Sequence, residues 1–141
     1  MQTENLLIYK LISDVGLVVL IWLVQLVIYP SFKYYTQENL KKWHEIYTSR
    51  ITFVVLPLML SQITLSIILL LKSDWGLFHI VDFILVLLIW VSTFTIFVPL
   101  HQNIERNKRI PESAVKLIKY NWFRTFLWSV IVILTYSNVL I

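Results

Sequence analysis

The chain has 141 residues, 58% of them hydrophobic and 14% charged, with a formal net charge of +4 and no cysteine. Its mean hydropathy is +0.75. A soluble domain carries about 25% charged residues, and a chain this short needs a large polar surface, so a soluble monomer is excluded, as is a disordered or low-complexity chain. The missing cysteines exclude disulfides, thiolate metal sites and cysteine nucleophiles, and two glycines are too few for a phosphate-cradling loop or a dinucleotide fingerprint.

Four apolar stretches follow in chain order, at about residues 6–29, 51–71, 77–100 and 122–140. Each reaches the roughly 20 residues that cross about 30 Å of hydrocarbon. Their Leu/Ile/Val runs lack the alternation of a membrane β-barrel, so the pattern predicts helices. The first stretch has no basic leader, and Tyr29-Pro30 stands where a signal peptide carries small residues, so it reads as a retained span. Thr36 is placed to cap a helix from Gln37, with Glu38 in its first turn. Lys72-Ser73-Asp74-Trp75-Gly76 is a tight turn that makes the second and third helices antiparallel neighbours. Pro111, followed by Glu112, suits the start of a helix leading into the fourth span. The expected fold is all-α: a single domain over residues 1–141, an integral membrane four-helix bundle, up-down-up-down, with helices two and four extended into the cytoplasm. Pro57 and Pro99 are expected to kink helices two and three.

Basic residues set the orientation. Lys33, Lys41, Lys42 and Arg50 flank the first connection, and Arg106, Lys108, Arg109, Lys116, Lys119 and Arg124 flank the third, against Lys10 and Lys72 on the other side. The positive-inside rule then puts the long connections in the cytoplasm and both termini outside it. The net positive charge is accounted for by this asymmetry and the lipid bilayer's anionic headgroups, with no nucleic acid implied.

Polar residues at membrane depth are costly and therefore informative. Gln25 on helix one, His44, Tyr47 and Arg50 before span two, His101 and Gln102 after span three, and Asn121, Trp122, Arg124 and Thr125 at the start of span four gather at one end. Asn121, Arg124, Thr125 and Trp128 share one helix face, as do His44, Tyr47, Thr48 and Ile51. Two readings of this group stay open: a genuine site, or a network fixing helix ends at headgroup level. Arg124 either snorkels to the interface or turns inward to an anion. At the other end, Lys10 with Asp14 and His79 with Asp82 are expected to pair at the interface. Gln62 is expected to bond to a neighbouring helix. Trp43, Trp75 and Trp122 read as an aromatic belt, whereas Trp22, Trp90 and Trp128 lie deeper and read as packing or pocket residues.

These residues carry a resemblance. Trp22-Leu-Val-Gln25 with Tyr29-Pro30, His44 with Tyr47 and Arg50-Ile51, Val98-Pro99-Leu100-His101, and Asn121-Trp122-Phe123-Arg124-Thr125 with Trp128 resemble the pattern of an uncharacterised family of small four-span bacterial membrane proteins. That resemblance implies the four-helix fold and a bacterial inner membrane, and no activity. A looser likeness links Val98-Pro99, Trp122 and Arg124 to the anthrone-oxygenase-like four-span group. The fourth-helix histidine of that group is absent here, with Phe123 between Trp122 and Arg124.

Three functional readings follow. In the first, the protein binds, and transforms if it is an enzyme, a lipid-soluble small molecule at His44, Arg50, His101, Asn121 and Arg124, with Gln25, Tyr47 and Trp122 around them; histidine supplies acid–base chemistry and Arg124 an oxyanion partner. In the second, it is a structural or accessory subunit of a larger membrane complex or a homo-oligomer. In the third, His44 and His101 ligate haem b across the bundle. A bare metal site lacks a third ligand, since Glu45 projects about 100° away from His44.

Overall fold

A computed structural model describes residues 3–140; the single-domain reading of 1–141 adds Met1, Gln2 and Ile141, which lie outside the described residues. Four helical segments make up the fold: α1 (Thr3–Tyr34), α2 (Gln37–Lys72), α3 (Leu77–Glu105) and α4 (Ile110–Val139). Each is long and apolar enough to cross a membrane, and among the described residues there is no strand.

Side-chain pairs fix the topology. Lys10 bonds to Thr135, Trp22 to Ser129 and Gln25 to Asn121, so α1 and α4 run antiparallel. Ser13 meets Ser61 across α1 and α2, while Ser66–Asp82 and His44–His101 tie α2 to α3 in opposite sequence order. The result is an up-down-up-down bundle. One end carries both termini and the turn 73–76. The other, richer in lysine and arginine, carries the connections 35–36 and 106–109 and is called the basic end below.

The helix ends follow the local chemistry. Thr36 accepts a hydrogen bond from the Asn39 amide and starts α2, as its position predicts. Pro111 sits in the first turn of α4. Asp74 and Trp75 take left-handed conformations in the tight turn, and Asn107 does so where α3 stops.

The prolines sit in two different settings. Pro57 lies inside an unbroken α2. Pro30 and Pro99 each follow a π turn, Val24–Ile28 and Thr93–Phe97, closed by Tyr29 N–H to Val24 O and Val98 N–H to Thr93 O. A proline ring collides with the carbonyl four residues back and leaves it unpaired. That carbonyl here belongs to Leu26 or Thr95, inside the wider turn, which makes room for the ring. Each π turn also inserts one residue, so everything beyond it is rotated relative to a uniform helix.

The radial distribution of polarity is inverted relative to a soluble bundle. Ile12, Val19, Leu26, Phe53, Leu77, Phe94, Phe126 and Ile133 face outward, while Lys10, Asp14, Gln25, His44, Gln62, Asp82, Asn121 and Arg124 are buried. Charges placed inside and apolar side chains outside suit an apolar solvent. Gly16 lets Leu58 of α2 approach α1, at 3.3 Å from where a Cβ would stand.

Of the two pairs expected at the terminal end, Lys10–Asp14 forms but inside the bundle, and His79–Asp82 does not form. Lys10 and Asp14 are fully buried, and Asp82 turns to Lys10 and Ser66, not to His79. Lys10 Nζ donates to Asp14 Oδ2 (2.7 Å), Asp82 Oδ1 (2.8 Å) and Thr135 Oγ1 (3.0 Å). Asp14 also accepts from Gln62 Nε2 and Thr135 Oγ1, and Asp82 from Ser66 Oγ. The three-residue helical spacing of His79 and Asp82 made a pair look natural, but Lys10, the only buried lysine among the described residues, is the stronger partner for both carboxylates.

Candidate functional site

The basic end holds a cavity of about 450 Å³ built from all four helices, inside the roughly 300–1,000 Å³ range of small-molecule sites. Leu17, Ile21 and Val24 from α1 and Val55 and Met59 from α2 give it an apolar floor. Tyr29, Tyr47, His101 and Arg124 supply polar groups, and Trp90, Phe97 and Trp128 aromatic walls. Thr52 and Leu56 on α2 and Phe94, Val98 and Gln102 on α3 line it while also being exposed on the bundle surface. The cavity therefore opens sideways between α2 and α3.

Arg124 turns inward. Its guanidinium carbon lies 4.3 Å from the Phe97 ring centre and 4.9 Å from that of Trp128. Its Nε is buried without a hydrogen-bond partner, and among the described residues no carboxylate lies within ion-pair distance of it. Cation–π contact offsets part of the burial cost, by about 2 kcal/mol when desolvated, and supplies no acceptor for the buried Nε–H. Trp90 Nε1, also on the cavity wall, is a second buried donor without a partner.

A polar chain runs from the inner wall of the cavity to its exposed edge, where Thr48 and Glu105 also line it. Tyr29 Oη is 3.2 Å from His101 Nε2, and His101 Nδ1 is 2.7 Å from His44 Nε2. His44 Nδ1 faces Glu105 Oε1 at 3.8 Å. Glu105 also accepts from Thr48 Oγ1 at 3.2 Å, and its side chain is 38% exposed. The contacts fit two tautomer sets; in the one that turns a His44 Nδ1 hydrogen towards the Glu105 carboxylate, His101 donates through Nδ1 and accepts the Tyr29 hydroxyl proton at Nε2.

The eight residues expected at the site divide. Tyr47, His101 and Arg124 line the cavity, and His44 stands behind His101. Gln25 and Asn121 are buried but bond to each other at 3.0 Å, and Gln25 reaches the Ile118 carbonyl, so they lock α1 to α4 beside the cavity. Arg50 is exposed on the surface of α2. Trp122 is half-exposed and packs edge-on against Trp22 at 5.9 Å. Both are removed from the site because they project from the outward faces of their helices.

Glu105 and the hydroxyl of Tyr29 were not singled out. Glu105 was discoverable, since it follows His101 by four residues and so shares its face. Tyr29 was not, because the π turn shifts it by one position and carries it inward. Haem does not fit the two histidines. Iron–imidazole bonds of about 2 Å on each side would hold the two nitrogens about 4 Å apart, whereas these bond directly at 2.7 Å. Among the described residues no group of three His, Cys, Asp or Glu side chains converges on a metal-sized site.

No family model, curated protein or solved structure matches the chain. What the protein does must therefore be argued from the cavity.

Proposed function

We propose that this protein is an integral membrane protein that binds a lipid-soluble small molecule with an anionic end. The molecule enters from the bilayer between α2 and α3, lays its apolar part against Leu17, Val24, Val55 and Met59, and brings its anion to Arg124. The observation that carries this reading is Arg124, buried on the wall of a largely apolar cavity with no carboxylate within ion-pair distance among the described residues, Glu105 on the same wall included. A bare charge at membrane depth costs a few kcal/mol, and a ligand anion relieves that cost with charge-assisted hydrogen bonds. The direct imidazole contact weighs against haem. No contact in the bundle favours an accessory-subunit role over a ligand site.

The ten-to-two distribution of lysine and arginine supports the orientation proposed with it. The basic end faces the cytoplasm, α2 and α4 begin there ahead of their spans, and both termini lie outside. A bacterial inner membrane is the setting that the family likeness suggests.

The test is binding of octyl sulfonate, a permanent anion with an apolar tail, to the purified chain in lipid nanodiscs, followed by tryptophan fluorescence. Arg124→Gln is expected to weaken binding about tenfold or more, the worth of one charged hydrogen bond. Equal affinity in wild type and variant refutes the assignment of Arg124.

A further inference from the structure

A row of groups that a passive pocket does not require runs from the inner wall of the cavity to the half-exposed Glu105 at its edge. We infer that Glu105, His44, His101 and Tyr29 form a proton relay, and that the ligand is a weak acid of the phenol, enol or hydroquinone class that ionises on entering the cavity. This rests on the proposed binding role and adds the chemistry of the ligand's polar end.

With the His44 hydrogen on Nδ1, on the side of the Glu105 carboxylate at 3.8 Å, the row has one direction: Tyr29 O–H points to His101 Nε2 and His101 Nδ1–H to His44 Nε2. In that tautomer set Tyr29, His101 and His44 each hold one proton directed towards Glu105 and one lone pair directed back along the row, and Glu105 is the acceptor. A ligand hydroxyl that meets Tyr29 Oη gives its proton to that oxygen as Tyr29 passes its own to His101 Nε2. His101 releases its Nδ1 proton to His44 Nε2, and His44 releases its Nδ1 proton to the Glu105 carboxylate. The ligand keeps the O–H electron pair and becomes an anion, Glu105 becomes a carboxylic acid, and both histidines and Tyr29 end neutral. No redox partner enters, and Glu105 returns its proton to water.

The ends of the row are suited to these roles. Tyr29, His101 and Glu105 are on the cavity wall with Arg124, which among the described residues is the only Lys or Arg lining it and holds the new anion. Glu105 is half-exposed, so its carboxyl can rotate to close the 3.8 Å gap to His44 and can exchange with solvent. His44 is fully buried between them and has no other partner for Nδ1. A sulfonate or phosphate arrives already ionised and has no use for such a row, whereas a lipid-soluble weak acid crosses the bilayer neutral and must shed a proton to pair with Arg124.

The experiment compares two probes on the full chain in nanodiscs: octyl sulfonate, and an alkyl-substituted nitrophenol that colours on ionisation. Stopped-flow mixing follows the nitrophenolate colour and, with an indicator dye, the proton released to solvent. Wild type is expected to bind both probes, with colour and proton release in step. Tyr29→Phe and His44→Asn are expected to slow both signals about a hundredfold, the scale of a lost acid–base group, while octyl sulfonate still binds at near wild-type affinity. That second binding reports a folded cavity; if His44→Asn fails it, Tyr29→Phe decides. Ionisation at the wild-type rate in folded Tyr29→Phe overturns the relay and leaves the binding role standing. So does nitrophenol that stays colourless in wild type while octyl sulfonate binds. If wild type binds neither probe, the binding role fails and the relay falls with it.

Discussion

The two ends of the bundle solve the problem of buried polarity in opposite ways. At the terminal end, Lys10, Asp14, Asp82, Gln62, Ser66 and Thr135 satisfy one another, the three donors of Lys10 being spent on Asp14, Asp82 and Thr135. At the basic end, Arg124 Nε, Trp90 Nε1, Asn121 Oδ1 and His44 Nδ1 are buried without a hydrogen-bond partner. A closed network holds helices together; an open one is built to receive something. The two are joined through Trp128, which donates to Gln62 at 3.2 Å and stacks on Arg124.

Breaking the closed end gives the largest effect. Lys10→Met strands two carboxylates in the bundle and is expected to cost on the order of 3–5 kcal/mol, seen as a fall in unfolding temperature or loss of folded protein in detergent. Asp82→Asn in the same chain should restore part of it. Wild-type stability in Lys10→Met would mean that the network is incidental.

The same operation at the open end should have the opposite sign. Arg124→Gln removes an unpaired charge, so thermal stability is expected to hold or rise while octyl sulfonate binding weakens about tenfold. A strongly destabilised Arg124→Gln would show Arg124 to be structural, and the contrast between the ends would collapse.

The smallest change is expected from the lock between α1 and α4. Gln25→Leu removes the bond to Asn121 and should cost about 0.6 kcal/mol, typical of hydrogen bonds between spanning helices. A loss of several kcal/mol would place Gln25 with the closed network.

Much of the open end was legible in advance. His44 and Tyr47, and separately Asn121, Arg124 and Trp128, fall on single faces by helical spacing alone, and the short turn 73–76 brings His44 and His101 to one depth. Arg50 and Trp122 were grouped with them because depth along the chain says nothing of rotation about the helix axis. Tyr29 escaped because a π turn breaks the 3.6-residue period just ahead of it. The terminal network escaped for a different reason: Lys10 with Asp14 and His79 with Asp82 were each read along one helix, and the contact that joins them spans 72 residues of sequence.

Composition and periodicity alone therefore determine that this chain forms four apolar helices with a basic end, because hydrophobic run length, charge asymmetry and capping residues act over a few residues at a time. Which carboxylates share Lys10, whether Arg124 faces in or out, and how Tyr29, His101, His44 and Glu105 align were decided only by the packed bundle. Those contacts depend on helix rotation, which two π turns reset and which no local run of residues specifies.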